Sequence, residues 1–232
     1  MKTIRNLVIL LGIISTNFSF SQEVKINSNF AIEADGTMRL DNAATVWNDL
    51  MVYPDATTRG GSKTPVWGGQ AATAFKKNSG GTSQGVFLWM FSATDEQELY
   101  FCVQIPHCYK VGSVIYPHVH WTTATGTPNG TNVVWGLEYS VVAIGGSFPL
   151  TNIIYSNTVI SPIGTPTGTG QHLINSFPSI SGTGIGISTI MVCRLFRAVT
   201  DTNDTFANEV GFLGFDIHYE SDTQGSRSEF VK

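Results

Sequence analysis

Charged residues are scarce in this chain of 232 residues: Asp, Glu, Lys and Arg together make up 13% of it. The formal net charge is −4, which argues against non-specific binding to nucleic acid or to an anionic membrane surface. Gly, Thr, Ser and Asn are abundant instead. The composition therefore predicts a neutral, hydroxyl-rich surface of the kind that extracellular β-proteins often have.

Cysteine is also scarce, and the three residues Cys102, Cys108 and Cys193 exclude a disulfide-rich scaffold. An odd number leaves at least one thiol unpaired in an oxidising compartment. Cys193 lies in the apolar run 190–196, which predicts a buried, unreactive thiol. A bridge between Cys102 and Cys108 would have to span the turn at Pro106, and the sequence leaves that pairing open.

Long apolar runs are absent beyond the N-terminal segment, so no other segment qualifies as a membrane-spanning helix. Residues 1–21 are predicted to be a signal peptide, with Lys2 and Arg5 before an apolar stretch and Ser-Phe-Ser at 19–21 as the cleavage site. A retained anchor is the alternative, although the apolar stretch is short for a bilayer. Cleavage removes two basic residues and leaves 11 Lys and Arg against 17 Asp and Glu, a net charge of −6. We expect a secreted or periplasmic protein with no nucleic-acid partner and no membrane contact after cleavage.

Helical periodicity is nearly absent, and apolar residues recur at every second position, as they do in half-buried strands. The loop 122–131 is typical of a hairpin that joins the strand before it to the strand after it, and residues 66–77 are predicted to form at most one helical turn. Turn residues separate the runs, so we predict a single all-β domain over 46–232, a β-sandwich or jelly roll with little helix, preceded by an N-terminal arm at 22–45. The predicted strands are 28–33, 37–40, 46–53, 86–91, 98–105, 113–123, 132–142, 150–160, 171–176, 187–199 and 210–220.

Recognised catalytic motifs are missing as well. The chain has no H-E-x-x-H and no phosphate-binding P-loop. Its G-x-S-x-G match at 81–85 precedes the predicted strand 86–91 and not the helix that a nucleophile elbow requires, so the motifs favour a non-enzymatic protein. Trp47, Trp67 and Trp89 are candidates for stacking on sugar rings, although tryptophan in a β-sandwich more often belongs to the core. If these tryptophans are exposed, a glycan or another cell-surface molecule is the ligand that they indicate.

What the sequence does contain is an alternating stretch at 115–121, Ile-Tyr-Pro-His-Val-His-Trp. On a strand, its histidines His118 and His120 point to one side, and Val119 and Trp121 to the other. Two histidines on one side of a strand are typical of a metal or catalytic site, or of a polar face that packs or assembles.

Two further strands carry polar residues of matching parity. If 113–123, 132–142 and 210–220 share one sheet, the apolar rows face the core, and a polar set faces away from it. Imidazoles with a carboxylate suit zinc, iron, copper or nickel, so a divalent transition metal is the functional interpretation. The structural alternative is hydrogen bonding across strands or a subunit interface. The set is His118, His120, Glu138, Asp216 and His218.

The spacing of Gly112, His118 and His120 resembles the opening of the first cupin motif. The cupin motif has a glutamate three or four residues after the second histidine, where this chain has Ala124 and Thr125. The resemblance implies, as the alternative function, a metal-dependent enzyme that uses a histidine and carboxylate site.

Five stretches of the chain carry a second resemblance: 46–50, 83–88, 116–121, 132–139 and 222–227. Together they resemble an uncharacterised family of β-rich proteins encoded in tailed-phage genomes and prophage-like regions. The resemblance implies a virion-surface or fibre-associated module without assigned catalytic residues. Our leading prediction is a secreted, non-enzymatic binding or structural module, homo-oligomeric, with virion association as the alternative location.

Overall fold

The computed structural model describes residues 23–68, 87–123, 125–157 and 168–232, and these ranges are almost entirely β-structure. Two short 3₁₀ turns, Asn42–Ala44 and Pro54–Ala56, are the helical elements within them. The all-β prediction is confirmed. The strands are β1 Val24–Ile26, β2 Phe30–Ile32, β3 Met38–Leu40, β4 Val46–Val52, β5 Thr58–Arg59, β6 Val66–Gly68, β7 Leu88–Phe91, β8 Glu98–Gln104, β9 Tyr116–Thr123, β10 Trp135–Val142, β11 Asn152–Tyr155, β12 Leu173–Ser176, β13 Ile190–Arg197 and β14 Val210–Ser221.

Two antiparallel sheets form a β-sandwich. The five-stranded sheet has the order β11-β10-β13-β8-β5. The six-stranded sheet has the order β12-β9-β14-β7-β6, with β4 also paired to β14. Strand β14 is long enough to pair with β9 on one side and with both β7 and β4 on the other. It is therefore the central strand of the sheet that carries the candidate site.

The core lies between the two sheets and is built from the inward rows of alternating strands. Trp121 from β9 and Phe215 from β14 are fully buried on one side. Phe101 of the opposite sheet contacts Phe215 with ring centroids 4.9 Å apart, and Phe91 and Trp135 meet across the sandwich at 5.0 Å. Because these inward rows are fixed by burial, every second side chain is directed to an outer face.

The N-terminal arm predicted at 22–45 contains a small sheet of its own. Strands β1, β2 and β3 pair in sequence order, and the Leu40 backbone N–H donates to the Asp222 carbonyl at 2.6 Å. An isolated bridge also joins Arg39 to Thr223. The arm thus packs on the C-terminal segment.

Two local predictions are wrong. Strands β9 and β10 lie in different sheets, so the link between them crosses the sandwich and is not a hairpin loop. Residues 66–68 form strand β6 instead of a helical turn, because Trp67 pairs with Trp89 of β7. The rest of 66–77 lies outside the described residues, as does the predicted signal peptide.

In the described ranges, no helix has the length and apolar character that a membrane crossing requires.

Candidate functional site

The outer face of the six-stranded sheet collects four of the chain's five histidines. They come from β9, from β14 and from the residue before β12, and they surround one aspartate of β14. Asp49 of β4 lies at the margin. We call this set the histidine face: His118, His120, His172, Asp216, His218 and Asp49.

The predicted alternation of side chains along β9 and β14 explains the position of the central residues of the histidine face. Val119 and Trp121 are fully buried, which turns His118 and His120 outward, and Asp216 pairs directly with His118 across the strands. A register shift lies between Phe212 and Gly214. Simple alternation along 210–220 places Leu213 on the core side with Phe215, and the shift makes that placement wrong. Leu213 packs instead on Leu88 and Met90, outside the main core. Since the irregularity precedes Asp216, it leaves Asp216 and His218 on the same side.

Glu138 does not belong to this face, which corrects the predicted set. Its strand β10 lies in the five-stranded sheet, between β11 and β13. The Glu138 carboxylate accepts hydrogen bonds from Thr151 at 2.7 Å and from Arg194 at 2.8 Å. These two partners lower the pKa of Glu138. The residue is part of an ion-pair network and not a metal-ligand candidate.

Asp216 is the centre of the histidine face, and its side chain is only 2% exposed. Its Oδ1 lies 3.4 Å from His118 Nδ1 and 3.2 Å from His120 Nε2, while its Oδ2 lies 2.8 Å from His218 Nε2. Both Asp216 Oδ1 and His120 Nε2 are buried without a hydrogen-bond partner. Burial raises the pKa of Asp216, but the adjacent imidazoles of His118 and His120 outweigh it and hold that pKa well below its ordinary value.

Two residues of the face escaped the sequence analysis. His172 lies 2.7 Å from His120, between Nε2 and Nδ1 respectively, and burial together with the charge of His120 lowers the pKa of His172. Asp49 Oδ1 lies 2.9 Å from His218 Nε2. Parity could have found His172, because its neighbour Leu173 is buried and the alternation turns His172 outward.

Next to His218, two aromatic side chains extend the same face. Tyr116 pairs with His218 across β9 and β14, and Trp47 contacts the Tyr116 ring edge-on with centroids 5.3 Å apart. Trp47 is 57% exposed and Tyr116 is 38% exposed. Trp47 is therefore a surface residue and not part of the core.

A second candidate site lies at the open edge of the sandwich, where β5 and β6 are the edge strands of the two sheets. It is a cleft of about 300 Å³, lined in part by the 3₁₀ turn that begins at Pro54. We call it the tryptophan cleft. Its lining residues are Pro54, Asp55, Thr57, Arg59, Trp67 and Trp89.

The aromatic rings of the tryptophan cleft contact one another, and a hydrogen bond holds Trp89 in place. Trp67 and Trp89 meet at an interplanar angle of 60° with centroids 4.7 Å apart, and Trp67 stacks on Phe87. The Trp89 indole N–H donates to the Pro54 carbonyl at 2.9 Å. The guanidinium of Arg59 lies 5.9 Å from the centroid of the Trp89 ring. Trp67 remains 46% exposed, so one aromatic surface is available at the mouth of the cleft.

No protein-family model and no curated protein sequence matches the chain. Among solved structures, the chain is similar to the carbohydrate-binding module TmCBM61 in complex with β-1,4-galactotriose. The sequence identity is 13%, the TM-score is 0.28, and the match covers 76% of this chain and 88% of that one. At this level of similarity, nothing about the ligand or the binding residues of TmCBM61 transfers to this chain.

Proposed function

We propose that this chain is an exported, non-enzymatic binding module that holds a neutral sugar ring of a glycan in the tryptophan cleft. The observation that carries the proposal is the exposed surface of Trp67, set at an angle to Trp89 beside side chains of both charges. The proposal is independent of the histidine face.

The aromatic part of the cleft suits the apolar side of a pyranose ring. Such a ring presents a face of C–H groups and a rim of hydroxyls, so it covers an indole while its polar rim stays accessible. Covering a large exposed aromatic side chain recovers hydrophobic free energy, and tryptophan adds this area with few rotatable bonds. The exposed part of Trp67 supplies the surface, and Trp89 supplies a second wall.

The polar part of the cleft suits sugar hydroxyls. Asp55 and Arg59 are both exposed, and a carboxylate accepts hydrogen bonds that hydroxyls donate, while a guanidinium donates to hydroxyl oxygens. Their charges cancel, so the cleft favours a neutral ligand over an acidic or basic one. Because Pro54 fixes the ring of Trp89, little ordering of that wall is required when a ligand binds.

The location and the oligomeric state of the module are also proposals. The segment 1–21 supports export, and the resemblance to phage-encoded β-rich proteins supports a virion-surface or fibre-associated role as the alternative. We propose a homo-oligomer in either setting. N-terminal sequencing of the exported chain and light scattering of the purified protein test the two statements separately.

Binding to an array of neutral oligosaccharides, followed by titration with tryptophan fluorescence, tests the glycan proposal. We expect at least one gluco-, galacto-, manno- or xylo-oligosaccharide to bind and to change the fluorescence. Trp67→Ala should then weaken binding by about tenfold or more, since about 1.4 kcal/mol of stacking corresponds to a factor of ten.

Trp47→Ala is the matched control, because Trp47 is an exposed tryptophan outside the cleft. It should bind the same oligosaccharide as tightly as the unmodified chain does. An array without any bound neutral glycan contradicts the proposal. Wild-type affinity in Trp67→Ala, or loss of binding in Trp47→Ala alone, places the ligand elsewhere and also contradicts it.

A further inference from the structure

We infer that the histidine face is a binding site for one divalent transition metal ion of the zinc type, held by Asp216 together with His118, His120 and His218. This site is separate from the tryptophan cleft, so the failure of one proposal leaves the other intact. Two buried polar atoms without a hydrogen bond, the spacing of the donor atoms and the chemistry of the donor set support the site.

The first observation is that two buried polar atoms of the face have no hydrogen-bond partner. These atoms are Asp216 Oδ1 and His120 Nε2, which lie 3.2 Å apart without a hydrogen bond between them. Leaving a buried carboxylate oxygen and a buried imidazole nitrogen unsatisfied is costly, and such groups are rare in folded proteins. A cation between them would satisfy both atoms at once.

The second observation is the spacing of the donor atoms. Ligand atoms about 2.05 Å from a tetrahedral metal lie about 3.3 Å from one another. His118 Nδ1 and His120 Nε2 lie 3.4 and 3.2 Å from Asp216 Oδ1. One ligand atom each from His118, Asp216 and His218 also lie within 4.8 Å of one another. His118, Asp216 and His218 are therefore already close to the separations that a single ion requires, and His120 lies at such a separation from Asp216.

The third observation is that neighbouring groups orient the donors. His120 Nδ1 lies 2.7 Å from His172 Nε2, which leaves His120 Nε2 directed at Asp216. A ligand histidine is commonly oriented in this way through its second ring nitrogen. A hydrogen-bonded polar face explains the His172 contact. A metal ion would in addition supply a partner for Asp216 Oδ1 and His120 Nε2, which lie 3.2 Å apart without a well-aligned hydrogen bond.

The donor set selects the class of metal. Three imidazoles and one carboxylate suit zinc, copper, nickel or iron, whereas calcium and magnesium prefer sites made of oxygen ligands alone. His218 is 40% exposed, so the site opens toward solvent at this ligand. The metal-dependent enzyme, which stays a prediction, would require this metal as well.

Metal analysis and calorimetry test the site in the full exported chain, purified without a histidine tag. After treatment with a chelator and its removal, zinc chloride should bind at one ion per chain. Calcium chloride should not bind at the same site. His120→Ala and His218→Ala should each weaken zinc binding by at least tenfold, and cobalt(II) should give a visible d–d absorption band that both variants lose.

His107→Gln is the control, because His107 is the fifth histidine and lies between Ser226 and Ser188, outside the face. It should bind zinc as the unmodified chain does. Circular dichroism without metal shows whether each variant folds, and a folded His120→Ala that still binds zinc normally overturns the proposal. Absence of stoichiometric zinc in the unmodified chain overturns it too, and the face is then a polar packing surface.

Discussion

Arg197 and Asp204 form an ion pair inside the protein, with both side chains at most 3% exposed. The guanidinium donates from Nε to Oδ2 at 3.0 Å and from Nη2 to Oδ1 at 2.7 Å. Arg197 also donates to the Asn208 carbonyl at 2.8 Å. The pair therefore fixes the loop after β13 to the end of the sandwich.

Asp204→Asn should destabilise the fold strongly, because it leaves the buried guanidinium without its counter-charge. Removing one partner of a buried ion pair costs roughly 3–5 kcal/mol of unfolding free energy. Chemical denaturation monitored by circular dichroism measures the difference.

The control is Asp35→Asn, because Asp35 faces Arg227 at 3.6 Å with both side chains more than half exposed. Its unfolding midpoint should match that of the unmodified chain, since exposed ion pairs contribute little. Equal midpoints for the Asp204 and Asp35 variants would contradict the role assigned to the buried pair.

Gly136→Ala should also lower stability, for a steric reason. Gly136 pairs with Phe196 across β10 and β13, and a Cβ at position 136 would lie 2.1 Å from Phe196 Cζ. Phe196 is itself 3% exposed, with Arg194 over its ring at 4.2 Å, so it has little room to move. We expect a loss of about 1–3 kcal/mol, as for overpacking of a core.

Gly186→Ala is the matched substitution, because a Cβ at position 186 would meet no atom within 4 Å. Its free energy of unfolding should stay within about 0.5 kcal/mol of the unmodified value. Thermal and chemical unfolding of the two variants measure the contrast. A Gly136→Ala chain as stable as the Gly186→Ala chain would show that the ring of Phe196 gives way.

Alternation along single strands was sufficient to predict much of the histidine face. His118 and His120 follow from the burial of Val119 and Trp121, and Asp216 follows from the burial of Phe215. These are local relationships, because the side chains of a strand alternate whatever the strand pairs with.

Pairing between strands is a long-range property that the alternation along a single strand does not determine. The alternation of β10 is the same whichever sheet it joins, so Glu138 was grouped with residues that lie in the other sheet. The register shift before Gly214 reverses the alternation of β14, because Phe212 and Phe215 are both fully buried although they lie three positions apart. Since Phe212 and Leu213 are both apolar, the sequence does not show which of them faces the core. The tryptophan cleft depends on two edge strands from different sheets, which no local pattern brings together.

Cys193 should resist alkylation in the folded chain. The three cysteines are free, Cys102 is exposed and Cys193 is buried. Burial raises the pKa of the Cys193 thiol far above its ordinary value, and the thiolate is the reactive form. Peptide mapping after iodoacetamide treatment should show rapid modification of Cys102, and modification of Cys193 only after denaturation. Equal labelling of both in the native protein would contradict the burial of β13.

Glu138 should make the stability of the fold depend on pH in the acidic range. The hydrogen bond from Thr151 and the charge and hydrogen bond of Arg194 lower its pKa from the ordinary value of 4.5. A carboxyl group whose pKa is lower in the folded state contributes stability above its unfolded pKa, and this contribution is lost as the pH falls through the folded pKa. At neutral pH, Glu138→Gln should cost about 1.5 kcal/mol, the lower end for hydrogen bonds to a charged group, because the side chain is 24% exposed.

Urea denaturation of the unmodified chain and of Glu138→Gln, from about pH 7 to about pH 3, measures this dependence. The difference between them should shrink below the unfolded pKa and disappear once the folded carboxylate is protonated. Thr151→Val should move the loss to higher pH, because the first of the two interactions that lower the pKa is then gone. If the difference between the unmodified chain and Glu138→Gln stays constant with pH, the charge of Glu138 contributes nothing to stability. Arg194 is then held by its other acidic partners, Glu98 at 2.8 Å and Glu96 at 3.6 Å.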